Sequence, residues 1–222
     1  MEFNGHSRRR GVQSAATRSC RRGVSCGNLT AGTDSILMFN FLSRGGDSSK
    51  LVIGMVGVKM GDRIAQIGCA NGARLAAIAT GVGLSGRAMA FVPDDASAAR
   101  VKKGAAQAGV LVEIEKASPT NLPAEAATFD VAIVDDTGGL FATMRPEDRV
   151  ATVRELHRIL RPGGRVMVIA TAARGGVGAL LTRAQAGPPF DPGPSLQADG
   201  FRSVRTLAER DGLVFVEALK DR

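Results

Sequence analysis

Between Asp62 and Ala79 the chain reads DRIAQIGCANGARLAAIA, and this stretch restricts the fold most tightly. A short apolar run, Ile64 to Ile67, leads into a turn of small residues, Gly68-Cys69-Ala70-Asn71-Gly72. An alanine- and leucine-rich segment of helical character follows. Strand, tight glycine turn and helix together let backbone N–H groups approach a ligand at a helix N-terminus. The rest of the chain repeats the strand-then-helix theme, as a parallel sheet requires.

In order, the pattern predicts a strand over 63–67, a helix over 71–80 ended by Gly81 and Gly83, and a strand over 87–92. Pro93-Asp94-Asp95 opens a helix over 95–108 that Gly109 closes. A strand over 110–116 comes next, then a loop to Thr128, then FDVAIVD over 129–135, apolar enough to be a central buried strand. Pro146-Glu147-Asp148 gives first-turn chemistry to a helix over 146–160, whose Val150, Val153, Leu156, Ile159 and Leu160 form a helical stripe. Arg161-Pro162-Gly163-Gly164 stops that helix before a fifth strand over 165–171. A Gly- and Pro-rich stretch over 174–195 includes one short helix near 177–186, and two closing strands are joined by Asp211-Gly212, a tight hairpin signal. Ahead of all this, 38–60 reads as a loop and a short helix capped by Asp47 or Ser48 and weakened by Gly54 and Gly57. Seven strands result, five alternating with helices. The fold class is a doubly wound, mostly parallel α/β sheet with a C-terminal antiparallel hairpin.

Composition narrows the functions. With 222 residues, 44% hydrophobic and 23% charged, the chain suits one well-buried domain. The absence of Trp and Tyr argues against a base-stacking platform for single-stranded nucleic acid. Half of the formal +8 charge lies in residues 1–37, where six Arg face only Glu2 and Asp34. That segment shows no period and is read as a disordered basic extension, with the domain spanning 38–222. An Arg- and Ser-rich targeting peptide, or a translation start at Met38, are the alternatives. No apolar run reaches membrane-spanning length, no nucleic-acid signal is strong, and a cytoplasmic protein, possible as a homo-oligomer, is expected. Three cysteines, 20, 26 and 69, supply neither a disulfide framework nor a metal site, and Cys69 reads as a small buried residue. His157 reads as a packing or surface residue, so no histidine is assigned as a general base and no catalytic residue is named.

Four ordered stretches carry a family resemblance: VGVKMGDRIAQIGCANG, TNLPAEAATFDVAIVDD, LHRILRPGGRVMVIA and ADGFRSVRTLAERDGLVFVEALK. From Val56 to Lys220 the chain resembles the class I methyltransferases that use S-adenosylmethionine (SAM), and looks closest to the small-molecule branch that includes quinone-biosynthesis C-methyltransferases. The resemblance implies a Rossmann-like fold, SAM as cofactor and a small-molecule substrate. It places the cofactor on the turns that follow the first four strands. The residues so assigned are Gln66, Gly68, Cys69, Ala70, Asn71, Gly72, Val92, Pro93, Ser118 and Asp135.

Several of these depart from the family pattern. Gln66 stands where the first strand usually ends in an acid, Ala70 replaces the middle glycine, and Val92 and Ser118 fall where acids meet the ribose and lie near the adenine. Asp94 or Asp95 could substitute for the ribose acceptor if the Pro93 turn swings one inward. Hydrogen bonds to charged groups contribute about 1.5–3 kcal/mol each, so two lost acceptors correspond to roughly two to four powers of ten in affinity. Two functions follow: a SAM-dependent methyltransferase, or a non-catalytic member of the fold kept as a binding or assembly partner.

Overall fold

The computed structural model describes residues 49–172 and 190–222. The expected short helix near 177–186 lies outside the described residues. A helix over 49–56, α1, opens the described chain. Then come β1 (Arg63–Ile67), α2 (Gly72–Val82), β2 (Arg87–Val92), α3 (Asp95–Ala108), β3 (Glu113–Lys116) and β4 (Phe129–Asp136). The second half holds α4 (Leu140–Thr143), α5 (Pro146–Ile159), β5 (Leu160–Thr171), α6 (Gly193–Ala198), β6 (Arg202–Arg210) and β7 (Leu213–Leu219).

The strands form one seven-stranded sheet in the order β3-β2-β1-β4-β5-β7-β6. The first five are parallel, and β7 runs antiparallel between β5 and β6. The expected fold class is therefore the observed one. β4 is buried along its whole length, as its apolar run predicted. Alternation along the strands divides the core. Ala65, Ala132, Val134 and Val166 turn to one face, where they meet Val153, Leu156 and Ile159 of α5. Ile64, Val131, Ile133 and Met167 turn to the other, against Val52 and Val56 of α1 and Ile78 of α2.

The largest differences from expectation are two strand starts and one added helix. β3 begins at Glu113 rather than 110, because the Val110 N–H donates back to Ala105 O at 3.1 Å and so belongs to the end of α3. β5 begins at Leu160, before the Pro-Gly-Gly turn. Phe129 pairs with Leu160 and Val131 with Arg165, so 161–164 bulge opposite Asp130 alone. Asp130 pins that bulge: its Oδ2 accepts the Arg63 N–H at 2.7 Å and its Oδ1 pairs with Arg161. The short helix α4 was not expected at all.

Candidate active site

The strand order reverses between β1 and β4, since β2 and β3 lie on one side of β1 and β4, β5 on the other. In open α/β sheets ligands bind outside the carboxyl ends of the strands at such a switch point. The glycine turn sits there. Gly68 has φ +73°, and a Cβ on it would stand 2.8 Å from Asp135 O, so only glycine lets the turn lie against β4. Gly72 allows a second close approach, because its Cβ would stand 2.1 Å from Arg100 O. The expected cofactor loop is thus held tightly between β4 on one side and α3 on the other.

Asn71 caps α2: its Oδ1 accepts the Ala73 and Arg74 N–H groups at 3.0 and 3.3 Å. Asp135 reaches across from β4. Its carboxylate accepts the Asn71 N–H at 3.3 Å, Arg74 Nη1 at 2.7 Å, and the Thr137 hydroxyl at 2.6 Å. Its side chain is fully buried. Asp135, assigned to the cofactor from sequence, therefore has its carboxylate committed to holding the turn. A second guanidinium lies on the other side: Arg100 Nε donates to Cys69 O at 3.1 Å and Nη2 to Ser97 Oγ at 2.7 Å. Sequence reasoning assigned neither arginine. A cation in the first turn of a helix opposes the helix dipole, and Arg74 broke that rule in plain view.

Gln66 lies beneath the turn, 1% exposed, with Nε2 donating to Gly68 O at 3.1 Å. Its Oε1 is buried without a hydrogen-bond partner among the described residues. A buried acceptor left unmatched costs about 1–3 kcal/mol, so it marks a place where a donor belongs. Ala70 is exposed, and a Cβ on Gly138 would stand 3.4 Å from its methyl. Val92 is fully buried and apolar, beside exposed Pro93. Asp94 does not swing inward. It caps α3 by accepting the Ser97 N–H at 2.7 Å, while Asp95 pairs with Lys116 at 2.6 Å. Ser118 is exposed, its Oγ 2.7 Å from Thr120 Oγ1.

Cys69 is 6% exposed, and burial, with Asp135 adding to it, pushes its thiol up to about 11. The thiolate is the reactive form, so Cys69 is expected to be inert at neutral pH. With Cys20 and Cys26 replaced by Ser, dithiobis(nitrobenzoate) at pH 8 should label Cys69 only as fast as the protein unfolds. Rapid labelling of the native protein would contradict that environment.

Residues 64–164 match the family model described as "Methyltransferase domain". Over that stretch the chain resembles a methyltransferase domain. Solved structures agree in fold. A SAM-dependent methyltransferase from Aquifex aeolicus is 20% identical with a TM-score of 0.61, over 77% of this chain and 88% of that one. A SAM-dependent O-methyltransferase from Thermotoga maritima is 17% identical with a TM-score of 0.56, over 79% of this chain and 65% of that one. The [4+2]-cyclase SpnF is 16% identical with a TM-score of 0.55, over 79% of this chain and 80% of that one. At such identities the likeness is one of fold.

SAM is the cofactor that the methyltransferase domain implies. The residues present fit it unevenly. The unmatched Oε1 of Gln66 suits a ligand that brings a buried donor such as an ammonium. Val92 offers the ribose hydroxyls no side-chain acceptor. Among the described residues, no group of three or more His, Cys, Asp or Glu could hold a metal ion, and no helix is long and apolar enough to cross a membrane.

Proposed function

We propose that the chain is a methyltransferase that acts on a small-molecule acceptor and holds SAM on the turns after β1, β2 and β3. Gln66 and the turn Gly68-Cys69-Ala70-Asn71-Gly72 would take the methionine end. Val92 and Pro93 would flank the ribose, Ser118 would lie toward the adenine, and Asp135 would fix the turn from below. When bound, the cofactor supplies an electrophilic methyl group. The chain's part is to orient it and exclude water, from which much of the rate can come. The observation that carries this reading is the unmatched Gln66 Oε1 under a tightly held glycine turn at the switch in strand order. A small acceptor is favoured because only residues 172–201 separate β5 from β6, too few for a substrate domain.

Calorimetry with SAM and its demethylated product tests the reading. Wild-type protein should bind weakly, and Gln66→Asp should tighten SAM binding about tenfold, as a charged hydrogen bond replaces a neutral one. No heat at millimolar SAM, from the wild type or from a Gln66→Asp, Val92→Asp double variant, would sink the enzyme reading. A second reading, a non-catalytic binding protein of this fold, rests on the two arginines. Arg74 and Arg100 occupy Asp135 and Cys69 O, acceptors that a cationic ligand could otherwise use.

A further inference from the structure

We propose that Asp136 is the general base of an acceptor subsite walled by Leu140, Met144 and Phe190, and that this subsite takes a planar, apolar molecule bearing a phenolic or enolic hydroxyl. The proposal rests on the methyltransferase reading above and names the chemistry of its acceptor.

Asp136 ends β4 at the ligand edge of the sheet, and alternation turns it to the face opposite Asp135. It is 6% exposed and makes no ion pair among the described residues, unlike Asp135 with Arg74. Its Oδ1 accepts the Phe141 N–H at 2.7 Å. A buried carboxylate without a direct ion pair is costly, and such groups concentrate where chemistry is done. Four influences set its affinity for a proton. Burial raises it most, the Asp135 carboxylate raises it further, and the Arg149 guanidinium and the α4 N–H groups lower it. Asp135 itself is neutralised by Arg74, so one strand end carries two carboxylates in different environments, the arrangement that separates an acid–base group from a structural one.

Phe141, whose N–H Asp136 holds, leads to an apolar and only half-buried wall: it packs on Phe190, and Leu140, Met144 and Phe190 each keep surface to offer. The wall also abuts the glycine turn, since a Cβ on Gly68 would stand 3.2 Å from Leu140 Cδ2. A molecule against this wall therefore lies next to the donor loop. Two neighbours hold the Phe190 ring. Phe141 packs on it at 5.4 Å between centroids, and Arg149 Cζ lies 4.7 Å from its centroid. Arg149 is in turn anchored on Met144 O at 3.2 and 2.9 Å. A held aromatic face selects a flat apolar partner.

The base selects the reacting group. Amine lone pairs and thioethers take a methyl group without first losing a proton. A neutral hydroxyl gains much more from proton removal. In the step proposed, the acceptor O–H bond breaks and its proton goes to the Asp136 carboxylate. The oxygen's electron pair forms the new oxygen–carbon bond, and the carbon–sulfur bond breaks with its pair remaining on sulfur. No oxidant or metal is needed for the balance.

The probe is 2-naphthol, with the full-length protein. Asp136→Asn keeps an acceptor for the Phe141 N–H, so the melting temperature and 2-naphthol binding, measured by fluorescence without cofactor, should stay within threefold. Transfer of labelled methyl from SAM to 2-naphthol should fall about 10²- to 10³-fold in kcat. Wild-type kcat should rise with pH on the acid side as Asp136 loses its proton, and the variant should lose that rise. Phe190→Ser should weaken 2-naphthol binding at least fivefold. The proposal is overturned if wild-type protein does not bind 2-naphthol, if Asp136→Asn leaves kcat and its acid limb unchanged, or if Phe190→Ser binds as well as wild type. SAM binding without 2-naphthol binding removes only this acceptor assignment. Binding of 2-naphthol without any SAM binding removes the methyltransferase reading and leaves the subsite.

Discussion

Replacing Asp135 by Ala is expected to lower stability by about 3–5 kcal/mol, the range for breaking a buried pair by removing one partner. The expectation follows from what the carboxylate holds. Its side chain is fully buried, and it satisfies Arg74, Thr137 and the Asn71 N–H together. Without it the Arg74 guanidinium, 14% exposed, would lack its counter-charge, and the turn after β1 would lose its tie to β4. Most of the loss is therefore the cost of an orphaned cation. Arg74→Met in the Asp135→Ala background should recover part of it, because no charge then stays buried unpaired. Urea unfolding of the single and double variants measures both quantities. A single variant within 1 kcal/mol of wild type, or a double variant no better than the sum of the singles, would remove Asp135 from this role.

Gly72→Ala should be nearly as severe, at about 3 kcal/mol, the upper range for overpacking. The contact is backbone on backbone. A Cβ on Gly72 would stand 2.1 Å from Arg100 O and 2.6 Å from Arg100 C, and one on Gly104 would stand 2.4 Å from Gly72 O. No rotamer change can relieve an overlap with a carbonyl, so α2 and α3 must separate. The glycine turn rides on the start of α2 and should move with it. SAM affinity should fall with stability, a coupling that a remote packing defect would not show. Gly54→Ala is the control. Gly54 lies in α1 with nothing within 4 Å of its would-be Cβ, and alanine there should stabilise by about 0.5–1 kcal/mol. Equal behaviour of the two variants in thermal unfolding would mean that the close crossing of α2 and α3 is not as described.

These two positions show where sequence reading succeeds and where it stops. β1, β2 and β4 were legible because each is a mostly apolar run bounded by turn residues. The α3 helix was legible because Asp94 and Gly109 mark its ends chemically. The α4 helix left no comparable trace: it is four residues long, follows two glycines, and has no side-chain cap. The place of the glycine turn at the switch in strand order was legible, and the candidate site is built on it. Its wiring was not. Whether Asp135 meets a ligand or an arginine depends on a neighbour 61 positions away, and no local pattern encodes that distance. Asp94 was equally open from sequence, as either ribose acceptor or helix cap, and only the path of the turn after Pro93 decided for the cap.

The placement of β7 bears on the order in which the chain is assembled during synthesis. Each of β2 to β5 finds a parallel neighbour already made when it emerges, but β6 has none until β7, made after it, arrives between β5 and β6. Lys220, just past β7, then fastens the join by donating from Nζ to His157 O and Leu160 O at 2.7 and 2.8 Å. Until that moment β5 presents an open edge and β6 a strand without a partner, so the nascent chain is most prone to wrong association just before its last strand is added.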